Sequence, residues 1–196
     1  CLDTMPRYGV WRNKGMVYLA PNQKRLQIVQ DICGHTIKSI QQAEFLGGWQ
    51  ALPRQDLFDV EYWELEQAKL KSSAHTPEFE GKVVVVTGAA SGIGKACVEE
   101  FTDRGAVVLA LDIAEGFAEQ FTDGAVVAVR CDVTDSQAID SALQQMVAEF
   151  GGIDIVVSNA GNFSASQPLE EMSDDNWEFS QQLNQTSHMK LLRATV

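Results

Sequence analysis

The chain has 196 residues, of which 45% are hydrophobic and 21% are charged. This composition supports a sizeable folded core and excludes a disordered chain, and the length suits one large domain or one domain with a helical appendage. The net charge of −12 is unevenly placed, because residues 81–196 carry 6 Lys and Arg against 17 Asp and Glu. This acidic part repels phosphate backbones, so we expect no nucleic acid as a partner.

Membrane and metal association are also not expected. No run of residues approaches the roughly 18 apolar positions of a membrane span, and the N-terminus lacks the features of a signal peptide. Four cysteines lie far apart without a C-x-x-C pair, at Cys1, Cys33, Cys97 and Cys131. Such spacing favours free thiols over a disulfide or zinc site. We therefore expect a cytoplasmic protein without a metal, and the missing initial Met indicates that the native start lies elsewhere.

The first part of the chain predicts a hairpin followed by helices. Short apolar runs at 10–11 and 16–19 flank a plausible turn at 13–15. Apolar residues at helical spacing then predict a helix from about Leu26 that ends at Gly47-Gly48. A second helix is predicted from Asp56 to about Lys71, with a linker at 72–77. Residues 1–76 are therefore expected to form a mainly helical segment.

The second part, residues 77–196, alternates strands and helices. The continuous β-branched run Val83–Val86 is typical of a strand that is covered on both faces. Three more strands are predicted, at 106–111, 125–129 and 153–157, and three helices, at 93–103, from a Thr134/Gln137 capping box to Phe150, and from Ser173 onwards. This alternation predicts an α/β fold, a doubly wound parallel Rossmann-type sheet with strand order 3-2-1-4.

The strongest functional pattern is the glycine-rich run Thr87-Gly88-Ala89-Ala90-Ser91-Gly92-Ile93-Gly94, between the first strand and a helix. A pyrophosphate needs close backbone approach, which glycine allows, and a helix N-terminus offers N–H groups and partial positive charge. The pattern therefore predicts a dinucleotide site that includes Gly88, Ser91, Gly92, Ile93 and Gly94. The alternative is an ordinary glycine-rich turn without a ligand.

An acidic residue follows the second predicted strand. Asp112, with Ile113 beside it, lies 18 residues beyond Gly94. A carboxylate at this position accepts hydrogen bonds from the adenosine ribose and repels a 2′-phosphate. No Arg or Lys stands at 89–91 to neutralise such a phosphate, so NAD is favoured over NADP. Alternatively, or in addition, Asp112 caps the next helix.

The spacing G-x-x-x-G-x-G resembles the cofactor loop of the classical short-chain dehydrogenase/reductase family. Cys131-Asp132-Val133 resembles that family's adenine-contacting Asp-Val, and Ser158-Asn159-Ala160-Gly161 resembles its N-N-A-G segment, with Ser in place of the first Asn. Asn184 matches the family's helix Asn that organises a proton-relay water. The resemblance implies an NAD-dependent oxidoreductase that transfers a hydride between NAD and a secondary alcohol or a sugar-derived hydroxy compound. It assigns cofactor binding to Asp132, Val133, Asn159, Ala160 and Gly161, beside the loop and Asp112, and a catalytic role to Asn184.

The residues themselves agree on where two of these amides lie. Asn159 follows the fourth strand, at the carboxyl edge where ligands bind in parallel sheets. Trp177, Asn184 and Leu191 are spaced by seven residues, so they are predicted to share one helix face. An amide on that face needs hydrogen-bond partners. Without the resemblance, Asn184 fits equally well as a structural residue tied to neighbouring backbone.

One part of the family's pattern is missing. The family's Ser and Tyr-x-x-x-Lys lie beyond the fifth strand, whereas the tyrosines here, Tyr8, Tyr18 and Tyr62, all precede the first strand. A phenol with a pKa near ~10 is a poor base without a cationic neighbour. We therefore expect an inactive fragment that self-associates through an unfinished sheet edge. The alternative is a non-catalytic nucleotide-binding or interaction module.

The first eighty residues carry a looser resemblance. Residues 43–52 and 58–70 are similar to the segment that joins the halves of bifunctional aldolase/short-chain dehydrogenase fusion proteins. In those proteins a class II, zinc-dependent sugar-phosphate aldolase domain precedes the dehydrogenase, and its metal ligands would lie upstream of Cys1. The three histidines lack paired partners, so His35, His75 and His188 are expected to be structural or solvent-facing.

Overall fold

A computed structural model describes residues 6–63, 77–163 and 166–196. The chain divides into two compact units, Cys1–Pro77 and Glu78–Val196. None of the helices within the described ranges is both long enough and apolar enough to span a membrane.

The first unit opens with the predicted hairpin. Strands β1 (Tyr8–Trp11) and β2 (Gly15–Tyr18) pair antiparallel across the predicted turn, in which Asn13 has a φ of +61°. Helix α1 (Gln23–Leu46) begins at Asn22, whose side chain accepts a 2.8 Å hydrogen bond from the Arg25 N–H. It ends at Gly47, as predicted, because φ is +133° there and glycine adopts that conformation without strain.

Helix α2 is shorter than the sequence predicts. It spans Arg54–Glu61 rather than Asp56 to about Lys71, and its C-cap, Tyr62, stacks on Phe58 with ring centroids 4.4 Å apart. Phe58 is 55% exposed, so the apolar side chains of this helix gain little from burial. The rest of the predicted helix and the linker at 72–76 lie outside the described residues.

The second unit contains a four-stranded parallel sheet. Its strands are β3 (Val83–Thr87), β4 (Val107–Asp112), β5 (Val126–Arg130) and β6 (Ile155–Val157). The spatial order β5-β4-β3-β6 confirms the predicted order 3-2-1-4. All five residues of β3 are buried, as expected for a central strand that is covered on both faces.

Alternate residues of the central strands enter two separate cores. Val85 and Leu109 pack with Leu143 and Met146 of helix α4 (Ser136–Phe150) on one face. The other core contains Val84, Val86 and Val108, together with Val98 of helix α3 (Gly92–Asp103) and Phe117 of the 3₁₀ turn Phe117–Gln120. The sheet is therefore doubly wound, and the carboxyl ends of its strands form one continuous edge.

The start of α4 differs from the predicted capping box. The N-cap is Asp135, whose carboxylate accepts a 2.8 Å hydrogen bond from the Gln137 N–H. Thr134 instead donates its hydroxyl to Asp132 at 2.7 Å. An Asp one residue closer to the helix provides the cap, and the Thr134 hydroxyl is already engaged in the preceding turn.

The last helical stretch contains a π-turn that the sequence does not predict. Helix α5 (Asp174–Gln181) is capped by Ser173 as predicted, and π-turn Gln182–Thr186 joins it to helix α6 (Ser187–Ala194). A π-turn inserts one extra residue, so a seven-residue spacing loses its register across it. The π-turn therefore breaks the spacing from which Trp177, Asn184 and Leu191 were predicted to share one face, and Leu191 is buried whereas Trp177 is 52% exposed.

Asp154 joins β6 to β3 at the amino edge of the sheet. Its carboxylate accepts hydrogen bonds from the Val83 N–H at 2.9 Å and from Lys82 Nζ at 3.1 Å. The Val83 bond and, to a smaller extent, Lys82 lower the pKa of Asp154. We expect Asp154→Asn to lower the free energy of unfolding at pH 7 by about 1 kcal/mol.

The pH dependence gives this prediction a second test. With its folded-state pKa lowered, the Asp154 carboxylate stabilises the fold above its unfolded pKa of ~3.9, and this contribution disappears as the pH falls through the folded value. Urea unfolding at pH 7 and pH 3 should therefore show a difference between wild type and Asp154→Asn that narrows at pH 3. Exposed Asp140, replaced by Asn, is the control. Equal stabilities at pH 7 would contradict the prediction.

Candidate functional site

A cleft of about 330 Å³ lies at the carboxyl edge of the second unit's sheet. The ends of β3, β4 and β5, the segment after β6, and the helical stretch from α5 into the π-turn all contribute to its walls. Among the residues predicted to bind the cofactor, the structure brings the following into its lining: Gly88, Asp112, Ile113, Asp132, Val133, Ala160 and Gly161. The predicted residues outside the lining are Ser91, Gly92, Ile93, Gly94, Asn159 and Asn184.

Two glycines of the glycine-rich loop, Gly88 and Gly94, lie where a side chain would not fit. Gly88 has a φ of +68°, and a Cβ on Gly94 would lie 2.0 Å from the Gly88 carbonyl oxygen. The loop therefore requires glycine for close packing of the α3 N-terminus against β3. Ser91 is the N-cap residue of α3, yet its side chain makes no capping hydrogen bond. The first turn of the helix is thus not capped by Ser91, which suits a site for an anion.

Asp112 ties the end of β4 to this loop. One carboxylate oxygen accepts a 2.8 Å hydrogen bond from the Ala90 N–H, and the other accepts a 2.9 Å bond from the Ala114 N–H. The next helical turn, Phe117–Gln120, has Gly116 as its N-cap. Asp112 therefore does not cap it. The carboxylate instead holds the glycine-rich loop while it lines the cleft.

The wall after β5 is held by side chains from two directions. Asp132 accepts hydrogen bonds from the Thr134 N–H at 2.9 Å and from the Thr134 hydroxyl at 2.7 Å. Lys190 of α6 donates to the Thr134 carbonyl oxygen at 2.7 Å. Val133 is 7% exposed and lines the cleft. The turn is fixed from within and from α6, so this wall is preorganised.

Cys131 also lines the cleft, and its surroundings favour the protonated thiol. Burial, with smaller contributions from the charges of Asp132 and Asp135, raises the pKa of the Cys131 thiol to about 11. Such a pKa leaves about one thiol in a thousand ionised at pH 8, and the thiolate is the reactive form. We expect Cys131 of the folded chain to resist iodoacetamide at pH 8, as measured by peptide mass spectrometry. Urea should restore its labelling, and rapid labelling of the folded chain would contradict the prediction.

Asn159 locks the end of β6 to the end of β3. The N–H groups of Asn159 and Ala160 both donate to the Thr87 hydroxyl at 3.0 Å. The Asn159 amide donates to the carbonyl oxygens of Thr87, at 3.0 Å, and of Gly88, at 3.3 Å. The Asn159 side chain therefore lies behind the glycine-rich loop and supports it, while the next two residues line the cleft.

Asn184 lies within the π-turn, and its side-chain amide both accepts from and donates to the backbone of Asn162. Its amide oxygen accepts from the Asn162 N–H at 2.9 Å, and its amide nitrogen donates to the Asn162 carbonyl oxygen at 2.8 Å. The nitrogen also lies 3.2 Å from the Ser180 hydroxyl. This is the structural arrangement that the sequence left open as an alternative. A catalytic role for Asn184 stays a prediction.

Several contacts that shape the site were not predicted. The Thr87 hydroxyl accepts two hydrogen bonds, and a polar residue at the end of a β-branched run was the available signal for it. Ser158 Oγ lies 2.5 Å from His188 Nδ1, although 30 residues separate them in the chain. No local pattern indicates that pair or the bond from Lys190 to Thr134.

The sheet order, the glycine-rich loop and the acidic residue after β4 together define an α/β protein of the Rossmann type. The family described as short chain dehydrogenase matches residues 82–196, and the chain belongs to this family of oxidoreductases. The family described as aldolase class II, second domain, matches residues 1–70. This match agrees with the resemblance of the first part to the joining segment of aldolase/dehydrogenase fusion proteins.

Individual relatives extend the comparison. The uncharacterized oxidoreductase YuxG of Bacillus subtilis (strain 168) is 31% identical over 97% of this chain, which spans 29% of that protein. The 3beta-hydroxysteroid dehydrogenase 2 of Eggerthella lenta is 33% identical over 65% of the chain and 51% of its own length. The crystal structure of a 3-ketoacyl-(acyl-carrier-protein) reductase from Brucella melitensis complexed with NADH superposes with a TM-score of 0.57 at 29% identity, covering 59% of this chain and 49% of that one.

Proposed function

We propose that residues 78–196 are the cofactor-binding part of an NAD-dependent oxidoreductase. The observation that carries the proposal is the position of the Asp112 carboxylate. It lines the cleft beside the glycine-rich loop, held by the N–H groups of Ala90 and Ala114. Residues 89–91 contain no Arg or Lys. A negative charge at this position, with no basic residue at 89–91, favours the ribose hydroxyls of NAD and disfavours the 2′-phosphate of NADP.

The residues around the cleft fit the successive parts of NAD. The N-terminus of α3 and Gly88 would hold the pyrophosphate. The close packing there, in which a Cβ on Gly94 would meet the Gly88 carbonyl oxygen, leaves the backbone open to a phosphate. Asp112 and Ile113 would hold the adenosine ribose, and Asp132 and Val133 would border adenine. Ala160 and Gly161 would form the ribose and nicotinamide side, and the Asn159 side chain would support the glycine-rich loop from behind. When bound, NAD supplies the group that accepts and returns a hydride.

The substrate class that we propose is a secondary alcohol or a sugar-derived hydroxy compound. The name of the Eggerthella lenta relative, a 3beta-hydroxysteroid dehydrogenase, supports a hydroxy compound. The match of residues 1–70 to the second domain of class II aldolases supports a sugar-derived substrate, because fusion proteins of that kind join the two families. Asn184 is the residue of this chain that we assign to the catalytic class.

We further propose that this chain binds NAD without turning substrate over. Its tyrosines all precede β3, and the run from Tyr62 to Glu66 carries Glu where the family's pattern has Lys. None of these tyrosines is followed four residues later by the Lys of the family's pattern, because Arg12, Asn22 and Glu66 stand at those positions.

We also propose that the protein works in the cytoplasm. The cysteines at 33, 97 and 131 are unpaired, which supports a reducing cytoplasm. The excess of acidic residues after position 80 supports a small-molecule substrate over a nucleic acid.

Calorimetric titration of the 196-residue chain with NAD and, separately, with NADP tests the function. We expect NAD to bind more tightly than NADP, and no oxidation of hydroxy substrates by the chain alone. Tighter binding of NADP would contradict the assignment of Asp112. A folded chain that binds neither nucleotide would contradict the proposal that this segment holds the cofactor.

Self-association is proposed through the free edge of β6. This strand pairs with β3 on one side, and the sheet order of the described strands ends with it. An apolar parallel strand at an edge offers unpaired backbone groups and promotes association. Sedimentation velocity at rising concentration should show dimers or larger species. A monodisperse monomer at high concentration would contradict this prediction.

A further inference from the structure

Ser158 and His188 form a hydrogen bond beside the cofactor cleft. Ser158 directly follows β6, and His188 is the second residue of α6. Ser158 Oγ and His188 Nδ1 lie 2.5 Å apart, and both side chains are half-buried. Depending on the tautomer, the hydroxyl donates to the ring nitrogen or the ring N–H donates to the hydroxyl. In either case, α6 is joined to the end of β6.

The pair holds one end of a short segment whose other end is held by the same helical stretch. Residue 162, at the exit of the segment 158–162, makes hydrogen bonds of 2.9 and 2.8 Å with Asn184. On the opposite side, the Thr87 hydroxyl accepts from the N–H groups of Asn159 and Ala160. The segment is therefore fixed at its start by His188, at its exit by Asn184, and toward the sheet by Thr87.

Neither member of the pair touches the cleft itself. The cleft is lined within this segment by Ala160, Gly161 and Asn162. A Cβ on Gly161 would lie 3.0 Å from the Asn184 amide oxygen, so the segment and the π-turn are packed closely. A change at Ser158 or His188 therefore reaches a ligand only by moving the backbone between the two anchored ends.

We propose that His188 is a positioning residue that, through Ser158, sets the backbone of segment 158–162 for the nicotinamide half of the cofactor. The inference rests on the proposed function, since it concerns the same cleft. The adenosine side is held by other contacts, those of Asp112 and of the turn at Asp132. Loss of the Ser158–His188 hydrogen bond therefore weakens binding of the nicotinamide half of NAD and leaves binding of the adenosine side unchanged.

The experiment compares NAD with AMP, which carries only the adenosine side and one phosphate. Calorimetric titrations are made on the 196-residue chain, on Ser158→Ala, on His188→Leu and on the double variant. We expect each variant to lose about five-fold in affinity for NAD, the factor of one typical hydrogen bond, while its affinity for AMP stays unchanged. The double variant should lose no more than either single variant, because both remove the same bond.

Two further variants separate positioning from general destabilisation. Ser158→Thr keeps the hydroxyl and should retain the wild-type affinity for NAD. Ser141→Ala removes an exposed hydroxyl that donates to the Gln137 carbonyl oxygen on α4, and it should change neither affinity. Thermal unfolding of each variant establishes that it is folded before it is titrated.

The outcomes distinguish the inference from the function on which it rests. Equal losses for NAD and AMP, or unchanged NAD affinity in both single variants, would overturn the positioning role while the proposed function stands. A folded wild-type chain that binds neither nucleotide would overturn the proposed function and the positioning role with it. Loss of NAD affinity alone, restored in Ser158→Thr, is the result expected.

Discussion

Replacing Asp112 by Ala should lower the affinity for NAD by about ten-fold or more, because a carboxylate that accepts two backbone hydrogen bonds is lost. The same change should remove the preference for NAD over NADP, since the negative charge that repels a 2′-phosphate is gone. The Ala90 N–H also loses its acceptor, so the glycine-rich loop loosens. Calorimetric titration of wild type and variant with both nucleotides measures the two effects together.

Asp123 provides a matched control for this change. Its carboxylate accepts a 2.9 Å hydrogen bond from the Ala125 N–H two residues later, as that of Asp112 does from Ala114, but it does not line the cleft. Asp123→Ala should leave both nucleotide affinities unchanged. If Asp112→Ala retained the preference of the wild type, the carboxylate would not be the group that selects the cofactor.

Replacing Gly94 by Ala should have the larger effect on the fold. The added Cβ would lie 2.0 Å from the Gly88 carbonyl oxygen, a backbone atom that cannot move without displacing the loop. We expect the free energy of unfolding to fall by about 3 kcal/mol, at the upper end of the usual range for overpacking. NAD binding should be lost in the fraction that stays folded, because the loop and the α3 N-terminus move apart.

The control for Gly94 is a glycine that has open space around it. A Cβ on Gly124 would meet nothing within 4 Å, and its φ is not positive. Gly124→Ala should therefore match the wild type in urea unfolding and in NAD titration. A Gly94→Ala chain with wild-type stability and NAD affinity would show that close packing at Gly94 does not shape the site.

The sequence predicts those features that depend on local patterns. The β-branched run at 83–86 and the glycine that ends α1 are set by residue type and spacing, and both are confirmed. The strand order followed from short βαβ connections, which permit few topologies. Asp112 was assigned to the cofactor site from its position after the second strand, 18 residues beyond Gly94.

The features that sequence reasoning missed depend on contacts between distant residues. The π-turn at Gln182–Thr186 leaves no periodic signature, and it moved Trp177 out of register with Leu191. The pairing of Ser158 with His188 spans 30 positions and requires the sheet and α6 to be already in place.

The central claim is that the cleft at the carboxyl edge of the sheet holds NAD, and NMR titration of the ¹⁵N-labelled chain with NAD tests it most directly. We predict shifts concentrated in the amides of residues 88–94, 112–114, 131–134 and 160–162. Saturable shifts of this pattern would support the account. A folded chain whose shifts fall elsewhere, or do not appear at saturating NAD, would contradict it.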